Sequence, residues 1–224
     1  MIAACRVLAG VLILGASVVA GGATPDTTGE PRPHIVDEIV ATVGRTPILE
    51  SDLTLARLVH LVPESGDGSS TADRSSILEA RIRLELQYRD LQESGTLYRL
   101  KIDQHQVLES LAERAGGREA LMAALQGTGL AWDDVEDLAL RIAAVNAYVQ
   151  QRLRPRVKVS MEELQTAYQE AVALELAAQH AEPPPLDKIR GQLHRLLVER
   201  KLNGEIQRWL SEVRERLEVT VLRP

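Results

Sequence analysis

The sequence predicts a mainly α-helical protein of six to seven helices, with a small β-sheet joining an N-terminal hairpin to a C-terminal strand. Three observations predict it. Leu, Ala, Glu, Arg and Gln are abundant, whereas only 3% of the 224 residues are aromatic and none is Phe, so the core must be aliphatic. Apolar residues recur at three- and four-residue spacing through most of the chain. Segments rich in β-branched residues lie near the two ends of the fold, at 36–49 and 218–222.

Residues 1–23 stand outside that fold. A short, weakly positive start (Met1–Arg6) leads into the 14-residue apolar run Val7–Ala20, and the small residues Ala20-Gly21-Gly22-Ala23 follow. The run is shorter than the roughly 20 residues of a spanning helix. This is the layout of a cleavable secretory signal peptide, with cleavage after Gly22 or Ala23 and an exported, periplasmic or similar destination. A retained N-terminal anchor is the competing reading. Cys5 lies in this segment and no apolar run precedes it, so it is not a lipoprotein box. The mature chain then has no cysteine, which excludes disulfides, thiolate catalysis and cysteine zinc sites. Loss of Arg6 takes the net charge from −6 to −7.

Three prolines in 24–34 mark a disordered leader over 24–35. Residues 36–224 read as one helical domain, in which a helix and strand at 186–224 complete the part spanning 36–180. Val36–Val43 and Thr46–Leu49 read as strands joined at Gly44-Arg45. Ser51 or Asp52 is expected to cap a helix with Leu55, Leu58, Val59 and Val62 on one face. After the loop at 63–70, a helix over about 73–93 starts at a Ser76/Glu79 capping box and carries Ile77, Leu78, Ile82, Leu84, Tyr88 and Leu91. Short helices at about 104–114 and 118–126 stop at glycines, and a longer one runs from Asp133 to Pro155. Val157–Val159 is extended. Ser160 and Glu163 form a second capping box for a helix reaching about His180, where Pro183-Pro184-Pro185 follows closely. A final helix, 186–217, places Ile206, Trp209, Leu210, Val213 and Leu217 together and pairs Glu212 with Arg216. The strand at 218–222 closes the chain.

Residues with familiar chemical patterns are few. An acidic chain without aromatic platforms or a basic block is a poor nucleic-acid binder. The five histidines, His34, His60, His105, His180 and His194, have no metal-ligand spacing. Asp133, Asp134, Glu136 and Asp137 crowd a helix start, where acids suit free N–H groups, and no calcium loop accompanies them. Gly116-Gly117 and Gly127-x-Gly129 follow no strand, so they are not phosphate cradles. The reading is no catalytic residue, no metal site and no cofactor.

The stretches VDEIVATVGRTPILESDL (36–53), VKVSMEELQTAYQE (157–170) and IRGQLHRLLVERKLNGEIQRWLSEVRERLEVTVL (189–222) resemble, in order, three junctions of the SurA-like family of parvulin-type periplasmic chaperones. Trp209, Leu210 and Arg214 stand in register with the family's ending, and Trp209, Ser160 and Glu163 take structural roles. The departure is equally specific. The family's prolyl-isomerase domain would follow the helix ending near His180, and only Ala181-Glu182-Pro183-Pro184-Pro185 stands there. The resemblance therefore implies an exported, ATP-independent holdase rather than an enzyme. Its partners are unfolded or nascent secreted polypeptides; nucleic acid and stable membrane insertion are not expected. Leu55, Leu58, Val59, Val62, Met122 and Leu125 are the candidate client contacts, with a role in the core as the alternative for each. A dedicated assembly or scaffold factor for one envelope partner is the second function, and a divergent prolyl isomerase the third. N-terminal sequencing of exported material should begin at Ala23 or Thr24; full-length chain in the membrane fraction would support the anchor.

Overall fold

The computed structural model describes residues 37–62, 73–173 and 185–223. The expected signal segment and leader, the loop at 63–70, His34, His180 and the proline run up to Pro184 lie outside them. Among the described residues are seven α-helices and a three-stranded antiparallel sheet, so the fold is mainly helical, as the sequence predicts. None of these helices is long and apolar enough to cross a membrane.

The hairpin forms first along the chain. Strands β1 (Ile39–Val43) and β2 (Thr46–Leu49) pair with a bulge between Ile39 and Ala41. Gly44 turns the chain at φ +56°, a left-handed conformation that costs glycine nothing sterically. Strand β3 (Val219–Val221) pairs with the other side of β1, giving the order β2-β1-β3. The Gly44 N–H donates to the Glu218 carbonyl at 2.7 Å and the Leu222 N–H to the Val40 carbonyl at 2.9 Å. The two ends of the domain are thus held by one sheet.

Helix α1 (Glu50–Leu58) leaves β2 without an intervening loop. Its start corrects the expected cap: Leu49 occupies the N-cap position, which has no side-chain acceptor. Asp52 instead reaches back from the first turn to accept the Leu49 N–H at 2.9 Å. Ser51 offers only its N–H, donated to Asp37. Helix α2 (Arg74–Glu93) corrects the second expectation, because it begins after Asp73 and leaves Ser76 inside the first turn. Glu79 pairs with Arg214 rather than with a cap.

Helix α2 is the hub. It touches α1, β1, α5 (Trp132–Tyr148) and α7 (Leu186–Arg216), which is why its apolar stripe is broad. Ile77, Leu78, Ile82, Leu84, Leu86 and Leu91 are buried, and Tyr88 is half-buried. So are Arg81, Glu85 and Gln87, which a solvent-face reading of charged residues misses. Arg81 meets Asp52 at 2.7 Å and Glu85 meets Arg141 at 2.6 Å.

Helices α3 (Gln104–Arg114), α4 (Arg118–Leu125) and α5 (Trp132–Tyr148) follow close to their expected bounds. A 3₁₀ turn at Leu97–Arg99 precedes them, unmarked in the sequence reading. Beyond α5 the chain loosens into a π turn, Val149–Leu153, and a 3₁₀ turn, Arg154–Arg156, in which Pro155 ends the helical run. Helix α6 (Met161–Ala167) passes into a second π turn, Tyr168–Ala173; its expected continuation towards His180 lies outside the described residues. Helix α7 (Leu186–Arg216) then leads to β3.

Trp209 fastens α7. It is buried, and its ring lies 4.6 Å from that of Tyr148 at a 45° tilt, while its indole N–H donates to Asp90 at 2.7 Å. Arg216 also bonds Asp90, so the expected Glu212–Arg216 ion pair does not form. Asp90 is the better partner because it is largely shielded and already fixed by the indole. Burial raises the pKa of the Tyr148 phenol, against the opposing pull of Arg156. Urea unfolding of Trp209→Ala should show a loss of about 3–5 kcal/mol from transfer energy and cavity. Trp209→Phe, which keeps a ring but removes the donor, should lose less.

Candidate functional site

Met122 and Leu125 come together on one cleft, built from the end of α4 and the start of α5. Helix α4 stops at Leu125 because Gly127 and Gly129 adopt φ +81° and +80°, where any side chain is strained. Thr128 satisfies the helix end, its hydroxyl and N–H both donating to the Leu125 carbonyl, at 2.7 and 3.1 Å. Helix α5 starts with the Ala131 N–H bonded to Asp134 at 2.7 Å. That contact accounts for one member of the acidic cluster as a helix-start residue.

Trp132 forms the far wall. Its indole N–H donates to Glu136 one turn later at 2.8 Å, and the Arg118 guanidinium lies 4.3 Å from its ring centroid. The first residue of α4 and the first residue of α5 are therefore joined by a cation–π contact. Beside Trp132 is a space of about 420 Å³, lined by Met122, Leu125, Gln126, Leu130, Trp132 and the backbone of Gly127 and Gly129. That volume is within the ordinary range for a ligand pocket, roughly 300–1,000 Å³. Leu125 forms the floor, while Met122 is 49% exposed at the rim. The sequence reading named these two and missed Leu130, Trp132 and Arg118. The signal available was the Gly127-x-Gly129 pair, which places the Leu130-Ala131-Trp132 segment back over α4.

The other four candidates divide differently, because α1 ends at Leu58 and leaves Val59 and Val62 beyond the expected helix. Leu55 and Val59 are buried at 4% and 0% exposure and belong to the core, so they present no surface to a client. Leu58 is half-buried against the same core. Val62, with Leu61, lines a separate cleft of about 700 Å³ whose other wall is Ser75, Ser76, Glu79 and Arg83 of α2. The two clefts have no lining residue in common.

The structural residues hold as a box. The Ser160 hydroxyl accepts from the Glu163 N–H at 3.2 Å, and the Glu163 carboxylate accepts from the Ser160 N–H at 2.8 Å. Lys201 of α7 pairs with Glu163 and donates to the Lys158 carbonyl at 2.7 Å, tying the box to the last helix. Lys201, followed by the Ser160 N–H, holds the Glu163 carboxyl below the usual carboxylate range. Among the described residues no three histidines, aspartates or glutamates converge as a metal would require. His105 meets only Glu109, at 3.5 Å.

No family model matches the chain, and no curated protein matches its sequence.

A depressed glutamate pKa stabilises the fold above the unfolded-state value, about 4.3, and that contribution fades as pH falls through the lower folded-state value. The stability difference between the native chain and Glu163→Gln should therefore be flat above about pH 5.5 and shrink below it. Urea unfolding across that range checks this; a difference that grows on acidification refutes it.

Proposed function

We propose that this chain is an exported, ATP-independent holdase, and that the cleft between α4 and α5 takes apolar side chains of unfolded polypeptides. The observation that carries the reading is Met122. It is a large apolar residue half-exposed at the mouth of an apolar space, where burial in the core cannot explain it. Methionine is unbranched and polarizable, so it adapts to side chains of different shape. Asp133, Asp134 and Glu136 flank Trp132, and the whole chain carries a net charge of −6, which favours neutral or basic client segments. The resemblance of 36–53, 157–170 and 189–222 to the SurA-like chaperones supports the same class. Prolyl isomerisation forms no part of the proposal. Its barrier is about 18–20 kcal/mol, and the segment that would hold the isomerase domain is five residues long.

Light scattering of a guanidine-unfolded protein diluted into buffer tests the proposal. Near-stoichiometric amounts of the chain should suppress aggregation, and Met122→Glu should weaken that suppression severalfold without lowering thermal stability. Apolar clients should shift the emission of Trp132 in a Trp209→Phe background. Suppression that survives Met122→Glu unchanged assigns the activity to another surface. Turnover of a proline peptide by sub-stoichiometric protein would overturn the non-enzymatic reading.

A further inference from the structure

We propose that the outer edge of β3 receives an extended, apolar segment of another polypeptide as a fourth strand of the sheet. The register decides which backbone groups are on offer. Hydrogen bonds join Gly44 to Glu218 and Val40 to Leu222, so the alternation of an antiparallel pair makes Thr42–Thr220 the bonded pair between them. Val219 and Val221 stand opposite Val43 and Ala41 in non-bonded pairs. Their N–H and C=O groups therefore point away from β1, and β3 is an edge of the sheet. Two donors and two acceptors at strand spacing are complementary to an extended backbone and to little else.

The side chains suit the same occupant. Val221 is 45% exposed and Leu222, just beyond the strand, 55% exposed, and successive strand residues point to opposite faces. An added strand would meet one apolar side chain on each face of the sheet. The opposite edge is blunted, since β2 contains Pro47, which has no N–H. Strand β3 is only three residues long, but it contains neither the proline nor the lysine that block an edge.

The geometry also argues against a second copy of this chain as the occupant. Two three-residue strands side by side bury far less than the roughly 1,200 Å² of a stable interface. Each copy also carries a net charge of −6. A short, reversible contact with an extended segment fits the edge; a lasting dimer does not. The class of partner matches the proposed function, but Met122 is on a different surface, so Met122→Glu leaves this edge intact and the two proposals fail separately.

Fluorescence polarisation of the full chain with a fluorescein-labelled peptide of alternating valine and threonine, ended by lysines, tests the inference. Val221→Pro removes an outward N–H while leaving the bonds from Glu218, Thr220 and Leu222 to β1. It should weaken peptide binding about tenfold or more. On the native chain, the same peptide with its four central amides N-methylated should not bind, which decides the matter even where Val221→Pro is unstable. Equal binding by the methylated peptide, or by a folded Val221→Pro variant, overturns the proposal. Concentration-dependent dimers that Val221→Pro abolishes, without peptide binding, would also overturn it by making a second copy the occupant.

Discussion

One carboxylate closes this fold. Asp90, on the hub helix α2, accepts the indole N–H of Trp209 and the guanidinium of Arg216, both from α7. Helix α7 is 31 residues long, yet only Leu193, Leu202, Trp209, Leu210 and Val213 of it are buried. Three of those five lie in its last eight residues, around the clamp. Strand β3 follows directly, so its pairing with β1 depends on α7 arriving at the right angle and register. Magnitudes show which part of the clamp matters most. An exposed ion pair contributes at most about 1 kcal/mol, whereas burying an aromatic side chain contributes several times that. The indole does the fastening, and the carboxylate fixes its orientation.

The charges buried in α2 do a different job. Arg81 with Asp52, and Glu85 with Arg141, join the hub to α1 and to α5. Buried pairs of this kind are weak evidence for stability, because desolvation offsets most of the attraction. Their value is directional: an aliphatic stripe touching four elements could slide by a turn, but a charge left unpaired in the interior costs several kcal/mol. Arg141 also lies 5.0 Å from the Tyr88 ring centroid, which positions it further. Exposed ion pairs such as Arg208–Glu205 carry no comparable constraint.

With the two ends of the domain clamped, the remaining apolar surface has a clear distribution. Core packing consumes Leu55 and Val59, so neither is available to a partner. Outside the core, among the described residues, are Met122 over its cleft and the Val221–Leu222 edge, together with Ile39, Tyr98, Met161 and Leu196. A chain poor in aromatics thus places one of its two tryptophans, Trp209, in the interior and uses the other, Trp132, as a wall of an accessible cleft. Trp132 is half-buried and braced by Arg118, which covers part of its ring while fixing its position.

The sequence by itself determined the helical class, the hairpin at Gly44, the Ser160–Glu163 box, the glycine stops and the burial of Trp209. Each of these rests on local chemistry: a period of 3.6 or 2, a positive φ, a three-residue reach from side chain to backbone. The β1–β3 pairing was also legible, because two β-rich ends of a helical chain have only each other to bond. Only the tertiary structure decided that Glu79 pairs with Arg214 and not with Ser76, and that Arg216 prefers Asp90 to Glu212. It alone separated Leu55 and Val59 from Met122, although the sequence places all three on apolar faces of short helices. The reason is physical. Periodicity reveals that a face is apolar, but whether water or a neighbouring helix meets that face is set by how the elements dock, as α2 does on α1.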